Sequence, residues 1–341
     1  MLEPSRIHAL GVVAVVGLLG CTPPKPLPDV EEPKAPTREV ELQPTNPTPL
    51  PEPTVSKPLD PPPEPEPSVQ PVLKFTGAFA TPESVLYDPA GDRYLVSNIN
   101  GDPGAIDGNG YIIEILPDGQ VKNPKLIAGG MNKLRLDAPK GMAIVGSELW
   151  VADITVVRKF DLKTAAHKSD IQLPEATFAN DIVAAPDGGA YVSDSAVKFV
   201  DGAPQPSGTD QIFFIDKTSK VKVFAKSSDL GGPNGLAMLP GNFLVANTLK
   251  GDELYKLTDK GARDAVTKLP GGMLDGLVAV DDTLIVSSWK TETVYRGPIT
   301  GAFKPVLTHV KGVADMGYDS KRKRLLVPRF TEDTVEVYEL K

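Results

Sequence analysis

From about Val72 to Lys341 the chain alternates short apolar runs, rich in Val, Ile, Leu, Phe and Tyr, with Gly, Asp, Asn and Pro turns. No helical period is sustained, so the pattern predicts short strands throughout. One phrase recurs six times: a polar residue, an apolar strand, a turn, then a second apolar strand that ends polar. The first copy is Glu83-Ser84-Val85-Leu86-Tyr87 followed by Arg93-Tyr94-Leu95-Val96-Ser97-Asn98. The others open at Lys140, Asn180, Asn234, Asp275 and Ala314, with second strands ending at Asp153, Asp194, Asn247, Ser288 and Arg329. The openings lie 39 to 57 residues apart, which leaves room for two more strands in each interval. Four strands per repeat of about 45 residues describe a propeller blade. The predicted fold is therefore all-β, a six-bladed propeller over 72–341. The last copy ends after its third strand, Thr334-Val335-Glu336-Val337-Tyr338, so Val72-Leu73-Lys74-Phe75 is expected to supply the fourth and remove a free edge. A β-sandwich is the structural alternative, but it gives no reason for six like-spaced copies.

Upstream the pattern stops. Residues 22–72 hold 18 of the 35 prolines and keep no period of 2 or 3.6. Such a segment cannot bury a core and favours polyproline II, which predicts a disordered linker over 21–71. Before it, Arg6 and His8 precede an apolar run from Ala9 to Gly20. A charged stretch followed by about 12 apolar residues reads as a signal peptide over 1–20, too short to span a bilayer. The run closes on Leu18-Leu19-Gly20-Cys21, and Cys21 is the one cysteine of the chain. This resembles the bacterial lipobox, which implies a lipoprotein: cleavage before Cys21, acylation of its sulfur (palmitate or a similar chain) and a stable membrane anchor. The expected address is the cell envelope, periplasmic or cell-surface. Thr22, in place of the aspartate that favours inner-membrane retention in some enteric bacteria, tilts the expectation toward the outer membrane.

Composition narrows the chemistry. The net charge of −8 and the lack of a basic stripe argue against nucleic-acid binding. A lone cysteine excludes internal disulfides, thiolate zinc sites and redox pairs. Beyond the signal segment only His167 and His309 remain, which disfavours histidine metal sites and a Ser-His triad. Neither a G-x-S-x-G elbow nor a P-loop occurs. The chain is expected to act as a monomer.

In a propeller the start of each innermost strand points at the central channel. The six openings then form a ring of Glu83, Lys140, Asn180, Asn234, Asp275 and Ala314. Glu83, Asn180, Asn234 and Asp275 offer oxygen donors with two formal negative charges, a set suited to one calcium ion with waters completing its shell. At these residues the chain resembles the gluconolactonase and senescence-marker-protein (regucalcin-like) family, through Glu83-Ser84, Asn180-Asp181, Pro233-Asn234-Gly235-Leu236 and Leu274-Asp275-Gly276-Leu277. The resemblance implies a calcium-dependent hydrolase of small lactones or esters. In it Asp275 would be the catalytic base toward water or the nucleophile, and the calcium the Lewis acid.

Lys140 is the departure. Its ammonium has three readings: beside a calcium, balanced by Asp315; in place of one, neutralising Glu83 and Asp275; or as a ligand for a substrate carboxylate. With Trp289, which follows a second strand, it is taken as substrate-binding. Trp289 and Arg329, at the ends of second strands, are placed at the pocket mouth or in packing. The loops 99–110 and 195–211 should overhang the ring as a lid. Within the first, Asp102, Asp107 and Asn109 are either a second calcium site or an ordinary Asp-Gly turn. Against the enzyme stands a different class, a non-catalytic surface propeller that binds a protein or glycan through its loop face. A calcium-free domain whose Lys140 amine bonds Glu83 and Asp275 would favour it.

Overall fold

The computed structural model describes residues 69–200 and 203–340; the expected signal peptide 1–20, Cys21 and the linker up to residue 68 lie outside the described residues. The described chain forms six four-stranded antiparallel sheets, plus a two-stranded hairpin. Blade one runs outward in chain order through Pro82–Asp88, Arg93–Asn98, Tyr111–Ile115 and Val121–Ala128. Blades two to six repeat this from inner strands Pro139–Val145, Ala179–Ala184, Pro233–Leu239, Leu274–Val280 and Gly317–Asp319. This is the six-bladed propeller that the repeated phrase predicts.

The ring closes as expected. Leu73–Thr76 pairs antiparallel with the last strand, Leu73 opposite Val337 and Thr76 opposite Thr334. Across the same seam Ser84 and Asp315 form a parallel bridge, and the Asp315 N–H donates to the Glu83 carbonyl at 2.9 Å. Both faces of each sheet are apolar, so each is buried against a neighbouring blade. Among the described residues, six of the buried clusters lie one at each blade interface. Trp150 and Val157 of blade two meet Val192 and Phe213 of blade three, and Phe75, Val335 and Val337 of blade six meet Tyr94, Val96 and Ile113 of blade one.

Each of the first five inner strands begins with the same irregularity. Pro82 pairs with Asn98 and Val85 with Val96, so Glu83 and Ser84 share the place opposite Ser97. Blades two to five shift identically after Pro139, Ala179, Pro233 and Leu274. This is a β-bulge, which re-aims a side chain at the cost of one ladder bond. The freed N–H groups find side chains on the second strand: Ser84 N–H on Ser97 Oγ at 3.0 Å, Asp181 on Ser193 at 2.9 Å, Gly235 on Asn247 Oδ1 at 2.9 Å, and Gly276 on Ser287 at 2.8 Å.

These contacts correct one alignment. Asn247, expected to match Asn98, stands one place earlier and matches Ser97; Thr248, opposite Pro233, takes the Asn98 position. The hairpin turns vary in length, from Gly146-Ser147 in blade two to residues 185–189 in blade three, so composition alone does not phase the second strand.

Candidate functional site

The bulges deliver five side chains to the mouth of the channel. Glu83, Lys140, Asn180, Asn234 and Asp275 are all buried, and all line one cavity of about 360 Å³. Ala314 completes the ring as a buried apolar residue. The glycines one step further along fit because the blades nearly touch there. A Cβ on Gly141 would lie 2.4 Å from Asp181 Oδ1, and one on Gly235 would lie 2.3 Å from the Asp275 carbonyl.

Asp275 is held on both sides. Asn234 Nδ2 donates to its Oδ1 at 2.9 Å, and Trp289 Nε1 donates to its Oδ2 at 2.7 Å. Burial lifts its pKa to about 6, against the pull of those two donors. Asn180 Nδ2 donates to Ser195 Oγ at 3.2 Å, and Ser195 Oγ donates to the Pro233 carbonyl at 2.8 Å. Ser195 is a supporting residue that the six-phrase pattern does not mark, because it follows the phrase. Beneath the ring, Asp181 accepts from the N–H groups of Ile182 and Leu236, both at 2.6 Å. Burial raises its pKa to about 7, with Asp275 adding repulsion. Asp315, half-buried, accepts from Ser84 Oγ at 2.5 Å; burial and then Asp181 push it well above the usual carboxylate range.

Glu83 decides what the ring can hold. Its Oε2 is buried with no hydrogen-bond partner among the described residues. Burial, then the charges of Asp275 and Asp315, raise its pKa strongly. A buried carboxylate oxygen without a partner costs roughly 1–3 kcal/mol or more, and buried charges are ordinarily paired or coordinate metals. Lys140 does not supply the pair. Its Nζ donates to the carbonyls of Pro103 and Ala138, each at 3.0 Å, and lies 4.3 Å from the Phe178 ring centre. Among the described residues no salt bridge joins it to Glu83 or Asp275. Burial lowers its pKa to about 8, against the attraction of Glu83. Also among the described residues, no three His, Cys, Asp or Glu side chains form a metal site by themselves. A cation here would draw on Glu83 and Asp275 together with the amide oxygens of Asn180 and Asn234, and that hard, oxygen-only set fits calcium.

The two long loops meet over this floor. The second carries the hairpin Val197–Val200 with Ala203–Pro206. Phe199 from that hairpin packs against Gly104 of the first loop, where a Cβ would sit 2.2 Å from the ring, and 5.8 Å from Phe178. Trp289 and Phe330 pack edge to face at 5.3 Å on the far side. In the first loop, Asp102 accepts from the Gly104 N–H at 2.8 Å and Asp107 from Asn109 Nδ2 at 2.7 Å. These are local turn contacts. Arg329 turns outward, pairing with Glu336 at 2.7 Å.

Solved structures resemble this architecture. A gluconolactonase from Xanthomonas campestris superposes with a TM-score of 0.60 at 17% identity, over 81% of this chain and 98% of its own. A second protein, assigned as a gluconolactonase, gives 0.57 at 15%, over 80% and 94%. Virginiamycin B lyase from Staphylococcus aureus gives 0.54 at 12%, over 79% and 99%. No protein-family model and no curated protein matches the sequence. At such identities the likeness establishes the propeller fold and leaves the chemistry to the residues of the ring.

Proposed function

We propose that this chain is a calcium-dependent hydrolase of small lactones or esters, anchored at a cell envelope by lipid on Cys21. The observation that carries the reading is the unpartnered, buried Glu83 Oε2 on the same cavity floor as Asp275, Asn180 and Asn234. The likeness to a gluconolactonase supports the reaction type. When bound, calcium would polarise the carbonyl oxygen of the substrate.

The rest falls to the chain. Each Asp275 oxygen keeps a lone pair after accepting its bond from Asn234 or Trp289. With a pKa near 6, Asp275 is ionised at neutral pH and basic enough to take a proton from water. The water oxygen adds to the carbonyl carbon, the ring or ester C–O bond breaks, and the departing oxygen takes the proton back. Trp289 fixes the carboxylate plane, and the loops that carry Pro103 and Phe199 overhang the floor.

Metal analysis of the purified domain, followed by a lactone and ester panel with and without chelator, tests this. Turnover that chelation abolishes and calcium restores is expected. A domain that holds no calcium and hydrolyses nothing would leave the binding propeller as the better reading. Labelling of intact cells with radioactive palmitate, lost in Cys21→Ala, tests the anchor.

A further inference from the structure

We propose that the substrate is an apolar lactone or ester, with an aliphatic or aryl body, and not a polyhydroxylated sugar lactone. The inference rests on the hydrolase reading above and narrows it. The cavity has two kinds of surface. Its floor is the five-residue polar ring; its walls are Ile99, Pro103, Phe199, Leu249, Met273 and Phe330, with further apolar residues between them. Among the described residues, none with a hydroxyl group lines it, and Lys140, Asn180 and Asn234 are its only polar residues besides Glu83, Asp275 and the Trp289 indole.

Those polar groups are largely committed. Lys140 spends two of its three N–H bonds on Pro103 and Ala138. Asn234 donates to Asp275 and to the Leu274 carbonyl. Trp289 gives its single N–H to Asp275, and Asn180 gives one to Ser195. A sugar lactone would turn several hydroxyls toward Ile99, Phe199 and Phe330, none of which can answer them. Each hydroxyl buried against these walls without a partner costs about tenfold in affinity. An alkyl or aryl body loses nothing there and gains burial. The volume of about 360 Å³ lies at the small end of ligand sites, enough for one lactone ring and a short chain. The ester group is the one polar part such a molecule must place on the floor.

δ-Decalactone and δ-gluconolactone form a matched pair: the same six-membered lactone and the same number of non-hydrogen atoms, with opposite polarity. The calcium-loaded protein is expected to hydrolyse the first with a kcat/KM at least about 100-fold higher. Binding is read independently with 2-pentylcyclopentanone, a ring ketone that cannot be hydrolysed, through quenching of Trp289 fluorescence. Phe199→Gln, on the half-exposed hairpin and away from the ring, is expected to weaken ketone binding about tenfold.

Preference for gluconolactone overturns this proposal and leaves the hydrolase standing. No turnover of either lactone, with ketone binding that Phe199→Gln weakens, overturns the hydrolase and this substrate assignment with it, and leaves an apolar binding site. Ketone that fails to bind, or binds Phe199→Gln equally well, overturns the apolar site whatever the turnover.

Discussion

Asp275 and Glu83 meet the same problem, a carboxylate taken out of water, and answer it differently. Asp275 is answered by two donors, from Asn234 and Trp289. Glu83 keeps one oxygen unanswered. Replacing Asp275 with Asn keeps the size and removes the proposed base, so kcat is expected to fall 10²–10⁴-fold with the fold intact by circular dichroism. Retained turnover would remove Asp275 from the mechanism. Glu83→Gln should act the other way on stability. In cation-free protein it removes a carboxyl that burial and the charges of Asp275 and Asp315 disfavour as an anion, so the domain is expected to melt higher than the parent and to lose any calcium-induced rise in melting temperature. A variant that melts lower without cation and still responds to calcium would contradict this. The polar ends of the second strands are a further residue-scale device. Asn98, Asp153 and Asp194 each accept a backbone N–H from the loop before the inner strand, from Ala80 at 3.1 Å, Ala138 at 2.7 Å and Phe178 at 2.9 Å. They are legible in sequence as recurring polar ends. Their partners are not, because the partner is a backbone group whose position only the folded loop fixes.

Among the elements, the closing strand Leu73–Thr76 carries the most weight for its length. It contributes four residues, yet it covers the outer edge of Thr334–Glu339. Phe75 is buried against Tyr94, with ring centres 6.5 Å apart. Phe75→Ala should cost about 3–5 kcal/mol, read as a lower denaturation midpoint. A variant truncated to begin at Gly77 should aggregate through the uncovered edge, as light scattering would report. Full stability in both variants would mean that closure is dispensable. This strand was readable in the sequence because the sixth repeat runs one strand short. The hairpin over the cavity was not, since Val197–Val200 and Ala203–Pro206 are short and repeat nowhere else. The apolar walls escaped for a like reason: Ile99, Phe199, Leu249 and Phe330 come from separate loops with no shared spacing.

The whole molecule concentrates acid at its axis. Glu83, Asp181, Asp275 and Asp315 are all raised above their ordinary values, first by burial and then, for three of them, by one another. Between the unfolded and folded pKa the native state holds more protons than the unfolded chain, so stability falls as pH rises through that interval. Asp275 rises from an ordinary 3.8 to about 6 and Asp181 from 3.8 to about 7, so cation-free protein should lose stability between about pH 4 and pH 7. Lys140, near 8, stays protonated over that range in both states. At Glu148 burial opposes ionisation, but the bonds from Lys159 and Lys168 prevail and hold it near 2, so it acts below about pH 4.5, with the opposite sign. Calcium should reverse the loss, with the largest rise in melting temperature at the alkaline end. Melting curves in chelator and in calcium across this range decide it; a calcium effect that does not grow with pH would count against a cation at the axis.

The sequence by itself determined the number of blades, the closing strand and the membership of the ring. Those properties follow from repetition and from strand alternation, which are local and survive in a linear text. It also carried the type of chemistry the ring offers, since Glu83, Asn180, Asn234 and Asp275 are oxygen donors in any fold. Tertiary structure alone decided how those side chains share their bonds. Lys140, which opens its own repeat, had three open readings, and the folded loop gave its ammonium to Pro103 and Ala138. The same folding left Glu83 Oε2 unmatched and turned the loops of four blades into one apolar wall above it. Hydrogen-bond partners and cavity linings are set by residues far apart in the chain, so no local pattern records them.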